Sequence, residues 1–199
     1  MKFHRRAPGT PSRIAVFPGS FNPPTVAHLA VAEAALTQVD EVLFVLPKVF
    51  PHKDFSGVGF DGRLQLLLRA TNQPGFSVAS TNGGLFHDIA RELRPHCAEA
   101  SLHFLCGRDA AERIVNWDYG VPDALLRMFA EFSLLVAARD GHYAPPAAHA
   151  GAIANLEMER DYREISATEV RRRLLTQGDW ESLIPAAIRS QVADLYRTS

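Results

Sequence analysis

The chain has 199 residues, 47% of them hydrophobic and 22% charged, the make-up of a globular protein with a substantial core rather than a disordered or membrane-spanning one. A formal net charge of −1 gives no broad basic face for duplex nucleic acid, so any basic residue with a role acts locally. The two cysteines, Cys97 and Cys106, make no disulfide framework and point to a reducing cytoplasm.

Residues 1–12 are basic, lack the apolar stretch of a signal peptide, and read as a disordered lead-in to a single domain over 13–199. Residues 13–17 (RIAVF) are short, β-branched and aromatic, and Pro18-Gly19 stops them, as expected of a buried strand. The Ala, Leu and Val pattern of 28–39 predicts a packed helix, and 41–46 (EVLFVL) a second apolar strand. A helix follows at 62–70, with Leu64, Leu67 and Leu68 on one face. Then come a strand at 76–79, a helix at 85–93, a strand at 102–105 (LHFL), helices at 109–115 and 123–132, and a fifth strand at 133–138 (SLLVAA). A Pro/Ala/His-rich loop, 141–151, leads into a C-terminal part, 152–199, where 162–165 reads as a last short strand and 168–175 and 184–196 as helices. Apolar strands alternating with helices predict a Rossmann-like α/β fold: a doubly wound parallel sheet with helices on both faces and a small C-terminal helical part.

Ligands of such sheets sit beyond the carboxyl ends of the strands, and three segments there carry candidate chemistry. The first loop runs Gly19-Ser20-Phe21-Asn22-Pro23-Pro24-Thr25-Val26-Ala27-His28. It leaves a buried strand and enters a helix, so the backbone N–H groups of Gly19, Ser20 and Phe21 and the helix start can converge on one anion. Thr25 and His28 share a face of the first turn, and both can donate to phosphate oxygens. The same residues also read as an ordinary Thr helix cap and a surface histidine. The loop is no GxGxxG fingerprint, which sets a dinucleotide-binding oxidoreductase aside.

The second segment is Ile165-Ser166-Ala167-Thr168-Glu169-Val170-Arg171. Ser166 and Glu169 have capping-box spacing, a structural role that needs no function behind it. The same helix start offers N–H groups, with Thr168 and Arg171 beside them, and a guanidinium suits bidentate phosphate contact. The third is Phe104-Leu105-Cys106-Gly107-Arg108-Asp109. Gly107 allows close approach of a ligand, and Asp109 can accept from ribose hydroxyls or cap a helix. Trp117 is either a core residue or an aromatic plate for a planar ring.

Together these motifs resemble the nucleotidyltransferase superfamily, most closely the bacterial nicotinate (or nicotinamide) mononucleotide adenylyltransferases. The family pattern G-x-F-x-P-x-[HT]-x-x-H is matched by Gly19, Phe21, Pro23, Thr25 and His28, and I-S-x-T-x-x-R by Ile165, Ser166, Thr168 and Arg171. Between them lie Pro51-His52-Lys53, a helix opening near Arg63, and the G-x-D turn with Trp117 at the family spacing. The resemblance runs from about Arg13 to Tyr196. The commoner first histidine is Thr25 here, and the segment 77–87 (SVASTNGGLFH) replaces a Ser-Tyr-Thr stretch that helps hold the acceptor.

The resemblance implies that AMP passes from ATP to a phosphate-bearing acceptor, nicotinate or nicotinamide mononucleotide, with release of pyrophosphate. An acceptor phosphate with a second pKa near ~6 is already mostly dianionic at neutral pH and needs no general base. Catalysis is then positioning and charge stabilisation, without a covalent enzyme intermediate. On this reading His28, with Thr25 beside it, acts on the transferred and leaving phosphates, and Ser166, Thr168 and Arg171 clamp the β- and γ-phosphates. Lys53 meets a phosphate, Gly107 and Asp109 meet the adenosine ribose, and Trp117 and Thr81 meet the acceptor. Mg²⁺ accompanies ATP through phosphate oxygens and water, without a protein metal cage. The partners are small molecules, with neither nucleic acid nor membrane, and a homo-oligomer is left open. Three other readings stand beside this one: another acceptor or nucleotide in the same superfamily (phosphopantetheine, or cytidylyl transfer), a non-catalytic nucleotide sensor, and a zinc site from His96, Cys97, His103 and Cys106, whose spacing matches no recognised finger.

Overall fold

The computed structural model describes residues 1–49, 57–137, 141–160 and 162–197. Seven strands form one sheet: β1 (Lys2–Arg5), β2 (Arg13–Pro18), β3 (Glu41–Pro47), β4 (Phe76–Thr81), β5 (Ser101–Gly107), β6 (Ser133–Ala137) and β7 (Ile153–Leu156). Their order across the sheet is β1-β4-β3-β2-β5-β6-β7, with every neighbour parallel except the β1–β4 pair. The chain builds outward from β2 through β3 to β4, then returns to the other side of β2 and builds outward again. The crevice between β2 and β5 is therefore the topological switch point, where sheets of this kind bind ligands.

Successive residues of each strand face opposite sides, so the continuous apolar runs feed two cores. Ile14 and Val16 of β2 pack with Phe104 and Val136 on one face, under α3 (Phe86–Leu93), α4 (Arg108–Asn116) and α5 (Ala124–Glu131). Ala15 and Phe17 pack with Phe44 and Leu135 on the other, under α1 (Val26–Ala35) and α2 (Phe60–Ala70). Helix α2 is apolar on two sides: Leu64 and Leu67 face the sheet, whereas Leu66 and Ala70 face a third cluster. That cluster, with Val170, Trp180, Ile184, Ile188, Val192 and Tyr196, joins α6 (Ala167–Leu175) and α7 (Arg189–Arg197) to the back of α2. The parallel sheet covered on both faces and the helical C-terminal part agree with the sequence reading.

Three expectations are corrected. The segment 1–12 is not a disordered lead-in, because Lys2–Arg5 pairs with β4 as an edge strand. Arg5 secures it by donating to Leu68 O at 2.7 Å and to Thr71 Oγ1 at 2.7 Å, satisfying carbonyl-rich chain at the end of α2. The last strand is Ile153–Leu156, not 162–165; the latter turns back on itself through Ile165 N–H to Tyr162 O. The loop 141–151 also carries structure. Tyr143 is buried, Asn155 bonds both its backbone N–H and its carbonyl, and His149 is half-buried against Phe129.

The start of β2 depends on one carboxylate. Asp40 accepts from Ser12 N–H (2.9 Å), Ser12 Oγ (2.8 Å) and Arg13 N–H (2.9 Å). The Ser12 hydroxyl and the two N–H groups hold its pKa down to about 2, below the ordinary 3.8. A lowered folded-state pKa adds stability above the ordinary value and loses it as pH falls through the shifted one. The melting temperature of the wild type should therefore fall more steeply between pH 4 and pH 2 than that of Asp40→Asn. Parallel profiles in that window would show that Asp40 does not anchor β2.

Candidate active site

Because β2 and β5 are parallel neighbours, the loop after β2 and the turn after β5 emerge side by side at the switch point. The first loop is shaped by aromatic packing. Phe21 adopts φ +43°, a left-handed conformation unfavourable for a bulky residue. Burial holds it there: the ring is 1% exposed and packs edge-on against Phe17, Phe44 and His28 at centroid distances of 5.7, 5.6 and 5.2 Å. The ring folds back over Gly19, where an added Cβ would lie 2.8 Å from Phe21 Cζ, so a side chain at residue 19 would displace that buried ring. Gly19 is not an anion donor, however, because its N–H is committed to Val45 O at 3.1 Å. The Asn22–Pro23 bond is cis.

Thr25 and His28 form a reciprocal cap at the start of α1. Thr25 Oγ1 accepts from His28 N–H at 3.3 Å, while His28 Nδ1 accepts from Thr25 N–H at 3.0 Å and lies 2.7 Å from Thr25 Oγ1. A backbone N–H can only donate, so Nδ1 holds a lone pair and the neutral ring carries its proton on Nε2. Thr25 is fully buried with its hydroxyl turned to His28. It does not present that hydroxyl to a phosphate, as the sequence suggested; it orients the imidazole.

Beneath the loop lies a residue that the sequence marked only as the opening of a helix, with no role assigned. Arg63, 2% exposed, donates from Nη1 to Ser20 O at 2.9 Å and from Nε to Val58 O at 3.1 Å. Burial pushes its pKa down, opposed by nearby Tyr196. The signal was an arginine three and four positions before Leu66 and Leu67, a charge on the apolar side of a helix. Arg171 of α6 reaches the same loop, donating from Nη1 to Asn22 O and from Nη2 to Thr168 Oγ1 at 3.3 Å. The two end motifs are thus in direct contact.

Ser166 caps α6 by accepting from Glu169 N–H at 3.1 Å. The expected capping box is only half made, because Glu169 turns away to Arg172 (2.6 Å) and Arg173 (2.7 Å). Those side-chain hydrogen bonds hold its pKa down to about 2. Of three consecutive arginines, Glu169 engages two, and Arg171 points to the loop.

Across the crevice, Gly107 is exposed and precedes α4, with Asp109 exposed in its first turn. Gly107 has an ordinary φ of −82°, and an added Cβ would meet nothing within 4 Å. The fold does not require glycine here, which leaves clear space above the backbone. Trp117, where α4 ends, is 53% exposed and is not a core residue. It lines a cavity of ≈ 330 Å³ with Tyr119, Asp123, Leu125 and His149. Thr81 departs from its expected role: it is 2% exposed and donates its hydroxyl to Glu92 at 2.7 Å. Lys53, with Pro51 and His52, lies outside the described residues. Among the described residues no cluster of His, Cys, Asp or Glu could hold a metal ion. Cys106 is a buried member of the core, its thiol pushed up to about 12 by that burial, and His103 pairs with Ser133 at 2.6 Å.

A parallel sheet whose switch point gathers a glycine-bearing loop, an oriented imidazole and a loop-seated arginine defines an α/β protein that handles phosphorylated ligands. The chain belongs to the Cytidylyltransferase-like family, whose model matches residues 16–173, and is accordingly a nucleotidyltransferase. It is 28% identical to a "probable nicotinate-nucleotide adenylyltransferase" of Exiguobacterium sibiricum, over 94% of this chain and 100% of that one. It is also 28% identical to a protein of the same description from a Geobacter species, over 92% and 96%. In fold it is similar to a Plasmodium falciparum nicotinic acid mononucleotide adenylyltransferase solved with NaAD, with a TM-score of 0.68 at 18% identity, covering 94% of this chain and 98% of that one. No helix among the described residues is long and apolar enough to cross a membrane.

Arg63→Met should leave two carbonyl oxygens beneath the loop without their donor. Each such loss costs about 1–3 kcal/mol, so the urea midpoint should fall with the slope unchanged. An unaltered midpoint would mean that the guanidinium does not hold the loop.

Proposed function

We propose that the chain is the adenylyltransferase that joins AMP from ATP to nicotinate mononucleotide, yielding the dinucleotide and pyrophosphate in NAD biosynthesis. The observation that carries this reading is the meeting of His28 and Arg171 at one loop, His28 oriented by Thr25 and Arg171 seated on Asn22. The names of the full-length relatives supply the acceptor.

An oxygen of the acceptor phosphate attacks Pα of ATP in line with the departing pyrophosphate. The new bond is O–Pα, the broken bond is Pα–O to the β-phosphate, and the electron pair leaves on pyrophosphate. Because the nucleophile is already an anion, the protein's task is to overcome repulsion between anions and to stabilise the leaving group. Two unit charges ~4 Å apart interact by about 4 kcal/mol at an effective dielectric near 20, so a few well-aimed donors are enough. The Nε2–H of His28 serves the bridging region of the triphosphate. Arg171, with Ser166 and Thr168 at the start of α6, serves the β- and γ-phosphates.

The peptide plane after Ser20 has its carbonyl on Arg63, and a trans peptide points its N–H the other way. The N–H of Phe21 is therefore turned from Arg63 toward the phosphate side. The adenosine passes over Gly107, where the ribose meets Asp109, and Lys53 adds a charge to the phosphates. Trp117 stacks on the pyridine ring. Thr81 is spent on Glu92, so the loop after β4 would contact the acceptor through other groups. Mg²⁺ arrives on ATP as part of the substrate, held by phosphate oxygens and water.

A pyrophosphate-release screen with ATP and CTP against nicotinate mononucleotide, nicotinamide mononucleotide and phosphopantetheine tests the reading. The first nucleotide with the first acceptor should be preferred; turnover only with CTP, or with none of the acceptors, would overturn it. His28→Ala should lower kcat by roughly 10², as for loss of an oxyanion-type donor, and should also lower the melting temperature, because the Thr25 N–H and the Phe21 ring lose their partner. Arg171→Lys should weaken ATP binding by about 1–3 kcal/mol through loss of the planar fork, while Arg172→Ala does far less because Arg172 is paired with Glu169. Equal effects at 171 and 172 would indicate a diffuse basic face. Trp117→Ala should raise the acceptor KM by roughly three- to tenfold, the loss of a stacking term of ~0.5–1.5 kcal/mol, and leave the ATP KM in place. Joint movement of both KM values would remove Trp117 from the acceptor site.

A further inference from the structure

We infer that Tyr196, in the last helix, is a positioning residue for ATP, acting through Asn22 on the seat of Arg171. The inference rests on the adenylyl-transfer reading given above.

Tyr196 is 9% exposed and belongs to the apolar cluster of Val170, Ile184, Ile188 and Val192. A phenylalanine would fill that cluster equally well, so the hydroxyl is not there for packing, and a hydroxyl buried without a partner would be costly. It donates to Asn22 Oδ1. Burial pushes the phenol well above its usual pKa, so the group remains a donor at any working pH.

Asn22 is itself 3% exposed and accepts twice. Its side-chain oxygen takes Tyr196, and its backbone carbonyl takes Arg171 Nη1. The residue on which the arginine is seated is therefore fixed from the C-terminal unit. The same cluster sets both ends of this linkage, because Val170, fully buried in it, immediately precedes Arg171. Gly57 approaches from a third side, where an added Cβ would lie 3.0 Å from Asn22 Nδ2. With Asn22 locked, the guanidinium meets the triphosphate already oriented and loses less freedom on binding.

The test is calorimetry of MgATP binding to the full chain without acceptor, beside steady-state kinetics and melting curves. Tyr196→Phe should raise the ATP Kd and ATP KM by about three- to tenfold, the scale of one lost buried hydrogen bond, and leave the acceptor KM unchanged. Asn22→Ala cuts the same bond from the other end and should show the same ATP defect. The double variant should be no worse than the more affected single one, because coupled residues are not additive. Trp180→Phe, in the same cluster, should lower the melting temperature without moving the ATP Kd. A Tyr196→Phe variant that loses only thermal stability, or a double variant with additive defects, would overturn the inference and leave the proposed function intact. A wild type that does not bind ATP would overturn both. A wild type that binds ATP with these responses but releases no pyrophosphate with nicotinate mononucleotide would overturn the acceptor and sustain the inference.

Discussion

The candidate site depends on where the carbonyls of one loop go. A chain that turns N–H groups toward a phosphate turns carbonyls the opposite way, into protein, where they need donors. In this molecule the donors are arginines from two different helices: Arg63 of α2 takes Ser20 O, and Arg171 of α6 takes Asn22 O. Long side chains with several donors can span the gap from helix to loop while leaving positive charge under the place where the triphosphate would lie. Backbone satisfaction and anion attraction are thereby met by the same groups. The aromatic wedge of Phe21 adds shape, holding the loop at a φ that the backbone alone would not keep.

A second division separates charge aimed at the first loop from charge paired elsewhere. Thr25 and His28 cap the helix with each other, and the Thr25 N–H fixes the tautomer of the imidazole. Glu169 draws Arg172 and Arg173 to itself, so a run of three arginines does not act as an undirected basic face. The net charge of −1 is consistent with such local use of cations, since a small anionic ligand needs a few aimed donors rather than a charged surface.

Much of this was legible in the sequence. Apolar strands alternating with helices pointed to the doubly wound sheet, and the turn residues placed Gly19 and Gly107 at strand ends, whereas the strand expected just before α6 is absent there. The misses share a cause. Lys2–Arg5 carries no apolar run, because an edge strand needs only a partner, and β4 supplies one across 70 or more residues of chain. The roles of Thr25 and Thr81 were misjudged because a hydroxyl's partner is decided by burial, which residue type does not reveal. Arg63 was visible as a charge on an apolar helix side, yet the loop carbonyl it holds, Ser20 O, lies 43 residues earlier. Nothing in local spacing announces Tyr196, 174 residues from Asn22.

That long-range bond bears on why the C-terminal helices are built as they are. A sheet with α1 and α2 already supplies the loop, the imidazole and Arg63. What it lacks is a second cation on the far side of the loop, and α6 brings one. A single helix of nine residues is too short to hold its place by local propensity alone, so its position has to come from tertiary packing. Val170 provides the apolar hold, and α7 covers it with Val192 and Tyr196 against the outer side of α2. The outer apolar side of α2, Leu66 and Ala70, is thus the surface on which the second half of the candidate site is mounted. Both arginines are then referenced to one rigid body, since Arg63 projects from α2 itself. A displacement of α2 would move the two arginines together and keep Ser20 and Asn22 in register with each other, so the loop would shift as a unit and keep its shape.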